Sequence, residues 1–365
     1  MQKRVLRPAE RAWLLLASLL VTLLLGEVFA RIWVKLRWPA ERIEQLTTHG
    51  AVRGRFASHP NLPFVLAPGF ADHNELGFRG PSLAAQKAPG VRRVACIGAS
   101  TTYGLDVSAL EANPAQLGEL LSKSHGKWEV INAGVPGWVS SETLVDLELR
   151  VLPLQPDVVV ILQGRNELFP QAYNGFRSDY THFRRPGFNY SVSNYGHKEL
   201  FRWSNLAMLA CTLRGERFGW SERAEHPLYG GIVWENRPTT AEVARNLEDP
   251  ARLAPLRSNL ESMIEVCRAR GIQVVVCTMA FLPGKLAMDE LEPDPKVAPV
   301  LAAQVERNNA LAREVAGRLG AQVVDTARLV EHPELFRDDC HLSPEGHRLF
   351  AQMVYAVLAP LLPAR

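Results

Sequence analysis

The nonapeptide Cys96–Gly104, CIGASTTYG, sets the hydroxyl of Ser100 among small residues where a short apolar run ends. A serine hydroxyl is a weak nucleophile unless a base takes its proton. RDDCHLSPEGH near the other end of the chain offers one, because His341 follows Asp338 by three residues. At that spacing a carboxylate can bond the imidazole, fix its tautomer and stabilise the imidazolium. Asp339 and Asp325 are alternative partners, and His347, one turn into a helix opened by Ser343, reads as structural. NAGVPGW supplies Asn132, Gly134 and Gly137, and QGRNEL supplies Gly164 and Asn166. A glycine-loop N–H and an asparagine amide are the donors an acyl-transfer oxyanion needs, each worth about 3 kcal/mol when preorganised.

Other chemistries fit less well. A phosphate loop needs GxxxxGK[ST], whereas Gly104 is followed by Leu105 and Asp106, and the GxSxG elbow fails at Thr102. Asp339, Cys340, His341 and His347 could be imagined around a metal but lack regular ligand spacing. The five cysteines form no CxxC pair, so neither a zinc module nor a disulfide framework is indicated. A net charge of +3 gives no reason to expect a nucleic-acid partner.

These residues become a site only if the chain brings them to one edge. Apolar runs at 93–98, 128–133, 157–163, 272–278 and 321–325 are continuous rather than alternating, as expected of parallel strands buried on both faces. Helices are expected between them: one from Asn113 as N-cap with Pro114 in the first turn, two ending at Gly271 and Gly320, and one from Ser343 to about Leu362. The alternation predicts a doubly wound α/β sheet, whose ligands bind beyond the carboxyl ends of the strands. Ser100, Gly134, Asn166 and His341 each follow such a run. Residues 168–253 break the rhythm and hold fourteen Phe, Tyr and Trp. The segment reads as an insertion over the active-site edge, with an aromatic mini-core and a substrate-binding role both open.

Ala12 to Gly26 carries no charge, and apolar character resumes after Glu27. With about 20 residues needed to span a bilayer core, residues 12–34 read as a transmembrane signal anchor after a tail at 1–11. Glu27 and Arg31 are four apart and could pair. Basic residues nearly balance across the span, and the reading favours an uncleaved anchor with the main domain extracytoplasmic, over cleavage after Ala30 or a buried core helix. Residues 35–90 read as a linker and an N-terminal strap, in which NELGFRG (Asn74–Gly80) is a turn.

In this order at strand ends, GASTTYG, NAGVPG, GRNE and DDCHLSPEGH resemble the SGNH (GDSL) hydrolase superfamily over residues 91–362, and the strap resembles the lead-in of its membrane-anchored bacterial members. The resemblance implies a flavodoxin-like five-stranded sheet of order 2-1-3-4-5. It assigns Ser100 as nucleophile, His341 as base and Asp338 as orienting acid. The oxyanion hole would comprise the Ser100 N–H, the Gly134 N–H and the Asn166 side chain. No metal or organic cofactor is implied. Ala99 replaces the usual aspartate before the serine, and Glu167 stands where aspartate commonly follows the asparagine, which leaves pocket shape and substrate open. The expectation is a membrane-anchored, periplasmic serine esterase acting on an acylated carbohydrate or lipid. An acyltransferase using the same triad on a glycan, or a non-catalytic anchored binding module, are the alternatives.

Overall fold

Apolar runs that must be shielded on both faces become the strands of one sheet. The protein is described here by a computed structural model covering residues 7–38, 55–57, 59–184, 203–217, 232–283 and 297–362. In chain order its elements are α1 (Pro8–Arg37), the short strands β1 (Phe56–Ala57) and β2 (Val65–Leu66), β3 (Arg92–Gly98), α2 (Ser100–Tyr103), α3 (Asn113–His125), β4 (Trp128–Gly134), α4 (Ser140–Asp146), β5 (Val158–Leu162) and α5 (Leu168–Ala172). There follow α6 (Asn205–Arg217), α7 (Thr240–Glu248), α8 (Ala254–Ala269), β6 (Gln273–Cys277), α9 (Ala298–Leu319), β7 (Gln322–Val324) and α10 (Pro344–Leu358).

The described residues form two compact units. The larger holds β1 to β7, with a parallel sheet ordered β4-β3-β5-β6-β7, which is the expected 2-1-3-4-5. Pairing is in register at the carboxyl edge: Gly98 lies opposite both Gly134 and Leu162, and Cys277 opposite both Leu162 and Val324. Every loop that follows a strand therefore starts at the same level. Ala95, Ile97, Ile131, Ala133, Val159, Ile161 and Val276 point into one core shared with α8 and α9. The opposite face carries α3 and α10, which pack on each other. Burial of both faces explains why the strands read as unbroken apolar runs.

Two local expectations are revised. Asn113 does not cap α3, since Ala112 holds the N-cap position. Its amide instead donates to the Thr101 carbonyl at 3.1 Å and its backbone N–H to His347 Nδ1 at 3.2 Å. Ser343 does cap α10, accepting from the Gly346 N–H. The aromatic segment also divides. Phe169 and Tyr173 pack on Phe183 in the larger unit, with centroids 6.1 and 5.2 Å from it. Tyr173, Tyr180 and Phe183 are buried, as a mini-core requires.

The smaller unit contains α1 and residues 203–217. Helix α1 is the one helix among the described residues long and apolar enough to cross a membrane. Of the expected linker and strap at 35–90, residues 39–54 and 58 lie outside the described residues.

Candidate active site

Gly98 ends β3 and lets the chain turn at once into α2. A Cβ there would come 2.4 Å from Thr102 Oγ1 and 2.5 Å from the Leu162 carbonyl, so nothing larger fits. Ser100 opens that short helix, and its Oγ lies 2.8 Å from His341 Nε2. His341 Nδ1 lies 2.5 Å from Asp338 Oδ2. With Nδ1–H donating to the carboxylate, the Nε2 lone pair faces the serine hydroxyl. Burial raises the Asp338 pKa, but the His341 hydrogen bond and charge and the Cys340 and His341 backbone N–H groups outweigh it and bring it down to about 2. The carboxylate stays ionised, as the orienting partner of an imidazolium must.

The alternative acids are engaged elsewhere. Asp325 accepts from Thr278 Oγ1 and Arg313 Nη2, and Asp339 accepts from Arg165 Nη2 at 2.9 Å. His347 is buried against Asn113, which draws it away from the imagined metal set. Asp338, Cys340 and His341 do offer ligand atoms within 4.8 Å of one another. Asp338 is committed to His341, however, and burial pushes the Cys340 thiol well up, so it stays protonated.

The oxyanion side needs one correction. The Gly134 N–H donates to Asn132 Oδ1 at 3.1 Å. A Cβ at Gly134 would come 2.2 Å from the Tyr103 nitrogen, so this glycine serves to seat α2 on the end of β4. Gly137, three residues on with φ +81°, carries an N–H that has no hydrogen-bond partner among the described residues. Its neighbour Trp138 accepts at its carbonyl from Asn166 Nδ2 at 2.8 Å, which brings Asn166 beside the Gly137 turn.

The surrounding loops are fastened by Glu167, noted in the sequence only as a departure from the family pattern, and by Arg165 and Arg79, which sequence reasoning did not single out. Glu167, fully buried, accepts from the Ser140 N–H and the Tyr180 hydroxyl, each at 2.5 Å, and burial raises its pKa. Arg165 joins the Asn166 loop to the Asp338–His341 loop through Asp339, in a pair exposed by only 11 % and 3 %. Arg79, in the NELGFRG turn, donates to the carbonyls of Tyr103, Gly104 and Val107 and pairs with Asp72. Its own N–H donates to the Asn132 carbonyl, so the strap grips both α2 and the end of β4. No local pattern marks their fastening role. The only signal was the proximity of Arg165 and Asp339 to motif residues.

Residues 96–349 match the GDSL-like lipase/acylhydrolase family. No curated protein matches the chain. Among solved structures, a lipase/acylhydrolase from Enterococcus faecalis is similar at 18% identity and a TM-score of 0.44, covering 75% of this chain and 98% of that one. A GDSL-like lipase from Bacteroides thetaiotaomicron gives 15% identity, a TM-score of 0.42, and coverage of 74% and 89%. A catalytic mutant of an acetylxylan esterase from Geobacillus stearothermophilus gives 14% identity, a TM-score of 0.42, and coverage of 75% and 97%.

Proposed function

The chain belongs to the GDSL-like lipase/acylhydrolase family and is an ester hydrolase; from that premise we propose that it is a membrane-anchored serine esterase working through an acyl-enzyme. The observation that carries this reading is the unbroken relay from Ser100 Oγ through His341 to Asp338, at 2.8 and 2.5 Å. His341 Nε2 takes the hydroxyl proton while Oγ bonds to the ester carbonyl carbon, and the carbonyl π electrons move onto its oxygen. The resulting oxyanion is received by the Ser100 N–H, by Asn166 Nδ2 and, in place of Gly134, by the Gly137 N–H. Collapse breaks the bond to the alcohol, which leaves with the proton from Nε2. Water then repeats the sequence. His341 deprotonates it, its oxygen bonds to the acyl carbon, and Ser100 departs with the returned proton.

The apolar helix α1 supports anchoring, with the catalytic unit extracytoplasmic and the ester drawn from an acylated envelope carbohydrate or lipid. Burial of Tyr173, Tyr180 and Phe183 removes these rings from any role in stacking on a sugar. The test uses the full-length protein in mild detergent with a short-chain chromogenic ester. Ser100→Ala should lower kcat by at least ~10³-fold, and a phosphonate ester should form its adduct on Ser100. Undiminished turnover by the variant would overturn the assignment. Repeating the assay with a glycan acceptor separates hydrolysis from acyl transfer.

A further inference from the structure

We propose that the start of residues 203–217, up to about Leu206, is a second membrane-embedded segment, docked on the C-terminal half of α1, with Glu27 closing the N-terminus of α6. The inference rests on α1 being an anchor and extends membrane contact to a stretch from the middle of the chain. Trp13 and Trp33 are twenty residues apart in α1, or about 30 Å along its axis, which matches a hydrocarbon core. Tryptophans favour the two interfaces of a bilayer. Glu27 and Arg31 then lie inside the apolar interval, where an ionisable side chain is expensive unless it is paired.

Their partners come from the second segment. Glu27 Oε1 accepts from Arg31 Nε at 2.8 Å and from the Asn205 N–H at 2.9 Å. Glu27 Oε2 accepts from Ser204 Oγ at 2.7 Å and from the Leu206 N–H at 3.0 Å. Ser204 Oγ accepts in turn from the Ala207 N–H at 3.1 Å. The first N–H groups of a helix have no partner within it, and lipid offers them none. Here the acid and the helix end satisfy each other. Gly26 allows the approach, since a Cβ there would come 3.1 Å from Leu206 Cδ2. Further along, Met208 buries against Val34, with Trp38 and Cys211 packed on the pair.

The occupant of the remaining surface is lipid. Trp203 is 75% exposed, as Phe29 and Ile32 on α1 are at 60% and 55%, and Arg31 Nη2 reaches the Trp203 carbonyl at 3.2 Å, which places Trp203 at the level of Arg31.

The test reconstitutes the full-length protein in phosphatidylcholine and phosphatidylglycerol vesicles carrying a phospholipid with a diazirine in its acyl chain. Label is mapped by mass spectrometry after illumination. Peptides from α1 and from 203–217 should both be labelled, and those from 92–162 should not. Glu27→Ala should cut labelling of 203–217 at least threefold with α1 unchanged, and Glu27→Gln, whose amide oxygen still accepts, should fall between. Val34→Cys with Met208→Cys should form a disulfide under oxidation, which checks the docking independently. Background labelling of 203–217 beside a labelled α1 overturns the proposal, and with the disulfide present it points to a protein partner in place of lipid. An unlabelled α1 refutes the anchor itself, and the proposal with it.

Discussion

His347 should make the protein lose stability in mild acid, and its removal should flatten that loss. The ring is 1% exposed, and its Nδ1 accepts from the Asn113 N–H at 3.2 Å, with Asn113 Nδ2 at 3.0 Å. Burial, followed by electrostatic repulsion from His341, Arg79 and Arg337, lowers its pKa from 6.5 to about 4. The unfolded chain takes up a proton near pH 6.5, whereas the folded chain resists it until about pH 4. This contribution is complete above pH 6.5 and is lost as pH falls towards 4. At about 1.4 kcal/mol per unit, the loss attributable to this ring is about 3 kcal/mol. His347→Asn places Oδ1 where Nδ1 stood, preserving an acceptor for Asn113 without a titrating group. Its smaller volume should lower stability at pH 7.5 by about 1–2 kcal/mol. Between pH 7 and 4.5, however, it should lose about 2–2.5 kcal/mol less than the parent. Urea unfolding in micelles, followed by tryptophan fluorescence at several pH values, measures both curves, and groups common to the two proteins cancel in the difference. Parallel curves would refute the assignment of a neutral, buried His347.

Asn166→Ala should lower kcat by ~10²–10³-fold with little change in KM, because an oxyanion donor is engaged mainly in the transition state; steady-state kinetics on the chromogenic ester would show a KM-dominated loss if Asn166 only binds substrate. Arg79→Met leaves the Tyr103, Gly104 and Val107 carbonyls without their shared donor. It should cost about 2–4 kcal/mol in urea unfolding, and kcat should fall because α2 carries Ser100. Unchanged kcat in the folded variant would mean that the strap does not position the nucleophile.

Much of this architecture was readable because strand burial writes itself locally. A run such as DVVVILQ has no polar face to show, and the residue after it must lie at the carboxyl edge. The same logic found Ser100, Asn166 and His341, since each closes or follows such a run. The sheet order came from resemblance, because periodicity does not say which strands are neighbours. What was not legible depends on partners remote in sequence. Asn113 has the residue type of a cap, and only the fold brings His347 within reach of it. Gly134 looked free to donate until Asn132, two residues earlier, turned its amide oxygen back onto that N–H. Arg79 and Glu167 are polar residues whose burial is justified by carbonyls and hydroxyls on other loops. The aromatic segment was read as one insertion, whereas its rings near 169–183 close a mini-core and 203–217 belongs with α1.

The strap also bears on where a shortened protein can begin. The family match opens at residue 96, and a fragment cut to that boundary would keep Ser100, His341 and Asp338. It would lack Arg79 under α2, His73 on the Tyr103 hydroxyl, and Phe64 beside Trp138. Arg55, stacked over the Tyr103 ring, is the earliest such support among the described residues of the larger unit. A fragment intended for crystals or inhibitor screening should therefore start before residue 55, because an inactive protein that begins later would report a missing foundation and say nothing about its substrate.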